Sequence, residues 1–160
     1  MTLLKVLSRL LQRKLQMMKI SNKQEGKTMT KKEMILEAIE GLGYKPHVDD
    51  DGDICVRFQM KSIFFLTGQE EEQYISAILP QFSEVNEGEE TLTLAVCNKV
   101  SREVKLAKVY IDQTLKSVTA SCEFFYTDME SLTNNVEHVL NILGMVRSAY
   151  HNAKVEFSNI

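Results

Sequence analysis

The sequence is short of the features that usually announce a chemistry. Its three cysteines, Cys55, Cys97 and Cys122, are odd in number and form no CxxC pair, which argues against a disulfide scaffold and a zinc ribbon. Each lies in an apolar stretch, where a cysteine serves as a small core hydrophobe. His47, His138 and His151 are scattered, with no HExxH and no ligand neighbour at metal spacing. The glycines never come as GxGxxG or GxxxxGK, so no phosphate-cradling loop is present, and no GxSxG marks a nucleophile. No apolar run approaches the length of about twenty residues that spans a bilayer. Near the start of the chain Lys5, Arg9, Arg13 and Lys14 break every apolar run before it reaches the length of a secretory signal's core. These absences point to a reducing cytoplasm, to no metal or cofactor, and away from the enzyme classes that carry such motifs.

What is present is a chain of 160 residues, 44% apolar and 26% charged, suited to one globular domain. The charge is divided. Residues 1–28 carry seven Lys/Arg and the single acid Glu25, net +6, and the total of −3 therefore leaves −9 on residues 29–160. An acidic body without basic residues interleaved with aromatics repels nucleic-acid phosphates, so nucleic acid is not an expected partner. In the basic segment Leu4, Leu7, Leu11, Leu15 and Met18 recur at three- and four-residue spacing, an amphipathic helical stripe. It suits an anionic membrane surface or an apolar groove on a partner. The bland alternative is a leader or appendage that precedes a native start at Met29, because "SNKQEGK" reads as linker and a complete helix start follows it.

The stretch "HVDDDGDICVRF" invites comparison with a calcium loop. An EF-hand needs glycine at position 6 and glutamate at 12. With Gly52 at position 6, His47 falls at position 1 and Phe58 at 12; starting from Asp49 puts Ile54 at 6 and Met60 at 12. Neither register works. A turn between antiparallel strands fits better, since Ile54, Val56, Phe58 and Met60 alternate with Cys55, Arg57, Gln59 and Lys61.

The rest of the chain reads as a run of strands bounded by helices. Thr30 and Glu33 form a T-x-x-E capping box that opens a helix over residues 31–41, with Ile35, Ala38, Ile39 and Leu42 on one face. Strands are expected near Tyr44 to Val48, at Asp53 to Met60 and in "SIFFLTG", which is apolar on both faces. "QYISAIL" permits strand or helix; strand is favoured, ending at Pro80. Residues 89–101 are ambiguous between a Thr/Leu alternation and a helix with acids in its first turn. "VKLAKVYID" and "SVTASCEFFYT" follow as strands separated by "QTLK", the second placing Val118, Ala120, Cys122, Phe124 and Tyr126 on one face and Thr119, Ser121, Glu123 and Phe125 on the other. A second T-x-x-E box at Thr127 and Glu130 opens a long helix with Leu132, Val136, Val139, Leu140, Leu143, Val146 and Tyr150 in its core stripe. The fold class is α+β: an antiparallel sheet with helices on one face, in the order α-β-β-β-β-α-β-β-α.

This order, together with "VDDDGDICVRF", "NKVSREVKLAKVYID" with Lys105 and Lys108, and the long last helix, resembles the YbjN-like proteins over residues 30–154. The resemblance implies a fold akin to the class I secretion chaperones, a helix over 89–101, and a role in bacterial sensory transduction. The family tends to carry two asparagines three apart at the end of that helix; Asn98 is present here, and Ser101 occupies the second place.

Two functions compete. One is a non-catalytic regulatory domain, expected to be a homodimer, that holds another protein on the open sheet face through Arg57, Gln59, Glu123 and Phe125, the aromatic serving as anchor among charges. Acid clusters at Glu70 to Glu72 and Glu87 to Glu90 fit a solvated face better than a catalytic pair. The other is a small-molecule-binding domain or small enzyme whose site is assembled from distant residues, with Cys97, Asn98, His138 and Arg147 as its polar candidates.

Overall fold

The computed structural model describes residues 28–68 and 73–159. The expectations for the N-terminal stripe and for Glu70 to Glu72 lie outside the described residues. Helix α1 spans Lys31–Gly41 and begins where the capping box places it: the Thr30 hydroxyl accepts the Glu33 amide at 3.2 Å, and the Thr30 amide donates to the Glu33 carboxylate at 2.9 Å. Its face of Ile35, Ala38 and Ile39 is buried. Six strands follow in one antiparallel sheet: β1 (His47–Val48), β2 (Ile54–Phe58), β3 (Lys61–Leu66), β4 (Tyr74–Glu84), β5 (Ala107–Ile111) and β6 (Ser117–Phe125). Helix α2 (Glu90–Glu103) lies between β4 and β5 in sequence, and α3 (Met129–Ser158) closes the chain. The element order is the expected one, and residues 90–103 are helical.

The spatial order is β1-β2-β3-β4-β6-β5. Helix α3 packs across the sheet with α1 on its β2 side and α2 on its β5 side. Register puts Ile54, Phe65, Ala77, Cys122 and Ala107 in one row, all pointing toward these helices and all within the core cluster. The other face carries no helix among the described residues.

Three local expectations are corrected. Tyr44 is not in a strand: its amide donates to Ile39 at the end of α1 and its ring stacks edge-on to Phe58 at 5.6 Å, so only His47 and Val48 pair with β2. Strand β4 does not stop at Pro80 but runs through it to Glu84. A register shift between Leu79 and Ser83 accommodates the proline, which has no amide to give to the ladder, and the Gln81 amide turns to the hydroxyl of buried Thr119 at 3.1 Å. The cap of α3 sits one residue later than expected. Asp128 is its N-cap and accepts the Ser131 amide at 2.8 Å, while the Ser131 hydroxyl receives the amides of both Thr127 and Asp128. The carboxylate supplies a stronger acceptor than a threonine hydroxyl at the positive end of a helix.

The aspartate stretch is a turn. One carboxylate oxygen of Asp49 accepts the amides of Asp51 and Asp53, at 3.1 and 2.9 Å, and Asp53 in turn accepts the amide of Thr67 at 2.9 Å. Gly52 has φ +89, a conformation that disfavours any side chain there.

Candidate functional site

A sheet buried on one face must do something with the other. Along the helix-free face, rows run across the strands from Cys55 through Phe64, Ile78 and Ser121 to Lys108, and from Leu66 through Ser76 to Glu123, with Tyr74 opposite Phe125 at the end. Phe64, Leu66, Tyr74 and Ile78 are half-buried and take no part in the helix-side core. Phe125 is 77% exposed, and its ring centroid is 6.0 Å from that of Tyr74. The alternation that makes strand β6 also determines this, because Phe124 and Phe125 must point to opposite faces, and only the first finds helices to pack on.

Polar groups on this face are held in place. The Glu123 carboxylate accepts from Lys108 at 2.8 Å, from Ser121 at 3.1 Å and from Ser76 at 3.5 Å. The hydrogen bond to Glu123 raises the Lys108 ammonium above its ordinary pKa, so the cation stays charged throughout the neutral range. Arg57 donates to Ser62 at 3.2 Å across the β2–β3 ladder. The face therefore presents an apolar patch between a fixed ion pair and a separate guanidinium.

The four residues expected to form the partner surface are not equivalent. Glu123 and Phe125 are neighbours on one strand, two residues apart. Arg57 is on the same face but three strands away, roughly 14 Å at the usual strand spacing, and displaced along the strands as well. Gln59 is elsewhere. It lies past the end of β2 in a turn with φ 47, and its side-chain oxygen approaches Gly144 of α3 and lines a cavity of about 340 Å³ with Leu42, Tyr44 and Leu140 on the helical side.

The competing polar set does not converge. Cys97 and Asn98 border a groove of about 620 Å³ between α2 and β5, whereas His138 lines a different cavity with Cys122, Phe124 and Asn135, and Arg147 is exposed on α3. Burial pushes the thiols of Cys97 and Cys122 up to about 11, and also raises Tyr150, whose phenol has Cys97 beside it. Groups protonated this firmly are poor nucleophiles and bases at neutral pH. Ser101, in the place of the second asparagine, serves the fold. Its hydroxyl accepts the Val109 amide at 2.9 Å and donates to the Val109 carbonyl at 3.3 Å. Edge strand β5 is thereby pinned to α2, a contact that sequence alone does not signal.

An open-faced antiparallel sheet backed by three helices defines a class of small α+β domain built around a free sheet face. Among solved structures the chain resembles YbjN from E. coli, described as a proposed transcription regulator, with a TM-score of 0.53 at 12% identity over 69% of this chain and 84% of that one. It is also similar to an uncharacterized protein from Methanothermobacter thermautotrophicus, with a TM-score of 0.44 at 12% identity over 76% of this chain and 96% of that one. No family model matches the chain. No curated protein matches it either. The fold is YbjN-like.

Proposed function

We propose that this chain is a non-catalytic regulatory domain that works in the cytoplasm, as a homodimer, by capturing another protein on its open sheet face. The observation that carries the reading is Phe125, a large aromatic 77% exposed beside half-buried Tyr74 on a face already rich in apolar side chains. Burying such a ring against a partner releases a large apolar area, while Glu123 and Lys108 fix the orientation of docking. The likeness to a proposed regulator is in keeping with this, and the net charge of −9 on residues 29–160 favours protein over nucleic acid as the partner. For the second copy of the chain, the groove between α2 and β5 offers exposed Leu94, Tyr110 and Leu115.

The test is a pull-down from native cytoplasm with the full chain as bait, set against the double variant Phe125→Ala with Arg57→Glu. Capture is lost in the variant, while circular dichroism and size exclusion remain those of the parent. Undiminished capture removes the sheet face from consideration and directs attention to the helical side.

A further inference from the structure

The open face and the amphipathic segment are two unsatisfied apolar surfaces of one chain. We propose that residues 4–18 of this same chain dock on the open sheet face, over Phe64, Leu66, Tyr74, Ile78 and Phe125. The proposal rests on reading that face as a docking surface, and makes its first occupant internal.

The point of chain entry argues for it. The described chain begins at Thr28, and Lys31, in the first turn of α1, holds its ammonium 6.0 Å from the centroid of the Tyr74 ring, which in turn neighbours Phe125. The segment is thus tethered at the corner of the face where half-buried Tyr74 and exposed Phe125 lie. Reach is sufficient. The nine residues 19–27 extend to about 30 Å at most, and six strands spaced about 4.8 Å apart make a sheet about 24 Å across. A helix of fifteen residues is about 22 Å long, so the stripe matches the face in size.

Chemistry and charge agree. Leu4, Leu7, Leu11, Leu15 and Met18 make one apolar stripe, and the four basic residues between them, Lys5, Arg9, Arg13 and Lys14, bring +4 to a body of net −9 over residues 29–160. Docking within one chain also benefits from a high effective concentration, which a separate partner must overcome.

The chain contains no tryptophan, so Phe125→Trp places a single reporter on the face, and Tyr74→Trp serves as a second reporter. Each is made in the full chain, with and without Leu7→Glu and Leu11→Glu, and again with Leu4→Ser and Leu15→Ser; circular dichroism verifies the fold. The expected result is acrylamide quenching about twofold weaker in the parent than in either stripe variant, independent of protein concentration. Equal quenching in parent and variants overturns the proposal. Shielding that appears only as concentration rises, or only when anionic vesicles are added, assigns the face to a second copy or a membrane and overturns it too. No partner is present in this measurement, so failure of capture and failure of internal docking are read separately.

Discussion

At the scale of single residues, the same atom types that suggest a metal site build a turn. Asp49 directs one carboxylate oxygen at two backbone amides and Asp53 reaches Thr67, leaving an arrangement organised around N–H donors. Calcium is therefore expected to leave the melting temperature unchanged. Asp49→Ala, which strands two amides, should cost about 1–2 kcal/mol, whereas Asp50→Ala, at an exposed position whose side chain takes no part in those bonds, should cost little. Thermal melts with and without calcium check both, and a calcium-dependent rise that disappears in Asp51→Ala would show that the loop binds the ion. Thiol chemistry gives a second expectation. Cys55, Cys97 and Cys122 are buried, and burial raises all three pKa values. Ellman's reagent at about pH 8, below the ordinary thiol pKa of about 8.5, should find no reactive thiol until denaturant is added. One thiol that reacts at once in the native protein would contradict the core placement. The failed EF-hand register and the buried cysteines were both legible in the sequence, because each follows from fixed spacing or residue type. The side-chain position of Gln59 was not, because a two-residue turn with φ 47 at Gln59 and φ 64 at Met60 contains neither the glycine nor the asparagine that normally marks such a conformation.

At the scale of elements, caps and close contacts make the sharpest expectations. Thr30→Ala removes the acceptor of the Glu33 amide and should cost about 1 kcal/mol. For α3 the cap is ionisable. The Ser131 amide, then its hydroxyl, hold the Asp128 carboxyl below its ordinary pKa, so the folded value lies below the unfolded one. The stabilisation from this cap is complete above the ordinary carboxylate range and is lost as pH falls through the depressed value. Asp128→Asn should flatten that part of the pH–stability profile, and an unchanged acid limb would rule the cap out as its source. Gly144 offers a test with a counterintuitive sign. Glycine to alanine within a helix ordinarily stabilises by roughly 0.5–1 kcal/mol. Here the added Cβ would lie 2.8 Å from Phe58 Cε1 and 3.1 Å from Gln59 Oε1, and overpacking costs about 1–3 kcal/mol. Gly144→Ala should therefore destabilise by about 1 kcal/mol, and Gly41→Ala, with open space around it, should not. Denaturant titration of the two variants separates the effects. Helix α1 was fully legible because both halves of its capping box are side chains in sequence. The shifted cap of α3 was less so, since Thr127 and Asp128 are adjacent candidates and geometry chooses between them. The helix over 90–103 carried two periodicities at once, and burial of Thr93, Val96, Cys97 and Val100 on one side settles it.

At the scale of the whole molecule, the class of fold follows from local signals but the strand order does not. Strands β4 and β6 are paired along most of their length although α2 and β5 intervene in the chain, and no local pattern announces a partner that distant. The alternation of Thr119, Ser121, Glu123 and Phe125 against Val118, Ala120, Cys122 and Phe124 did place Phe125 on the open face, whereas its pairing with the Tyr74 ring depends on that distant strand partner. Those helices and the sheet bury one continuous core running from Ile35 to Ala153 within the described residues, and the first cap is made by Thr30 itself. A chain of residues 29–160 should thus fold with native circular dichroism and one cooperative melt, because it retains every contact in that core. If residues 4–18 dock on the sheet face as proposed, this shorter chain should be more prone to self-association at high concentration than the full chain, since an exposed apolar patch without a cover seeks another surface. Size exclusion across a concentration series, alongside the melt, checks the two parts independently. An insoluble or molten product would mean that Leu4, Leu7 and Leu11 complete the core, and a truncated chain that stays dispersed like the full one would mean that the tail does not cover the face.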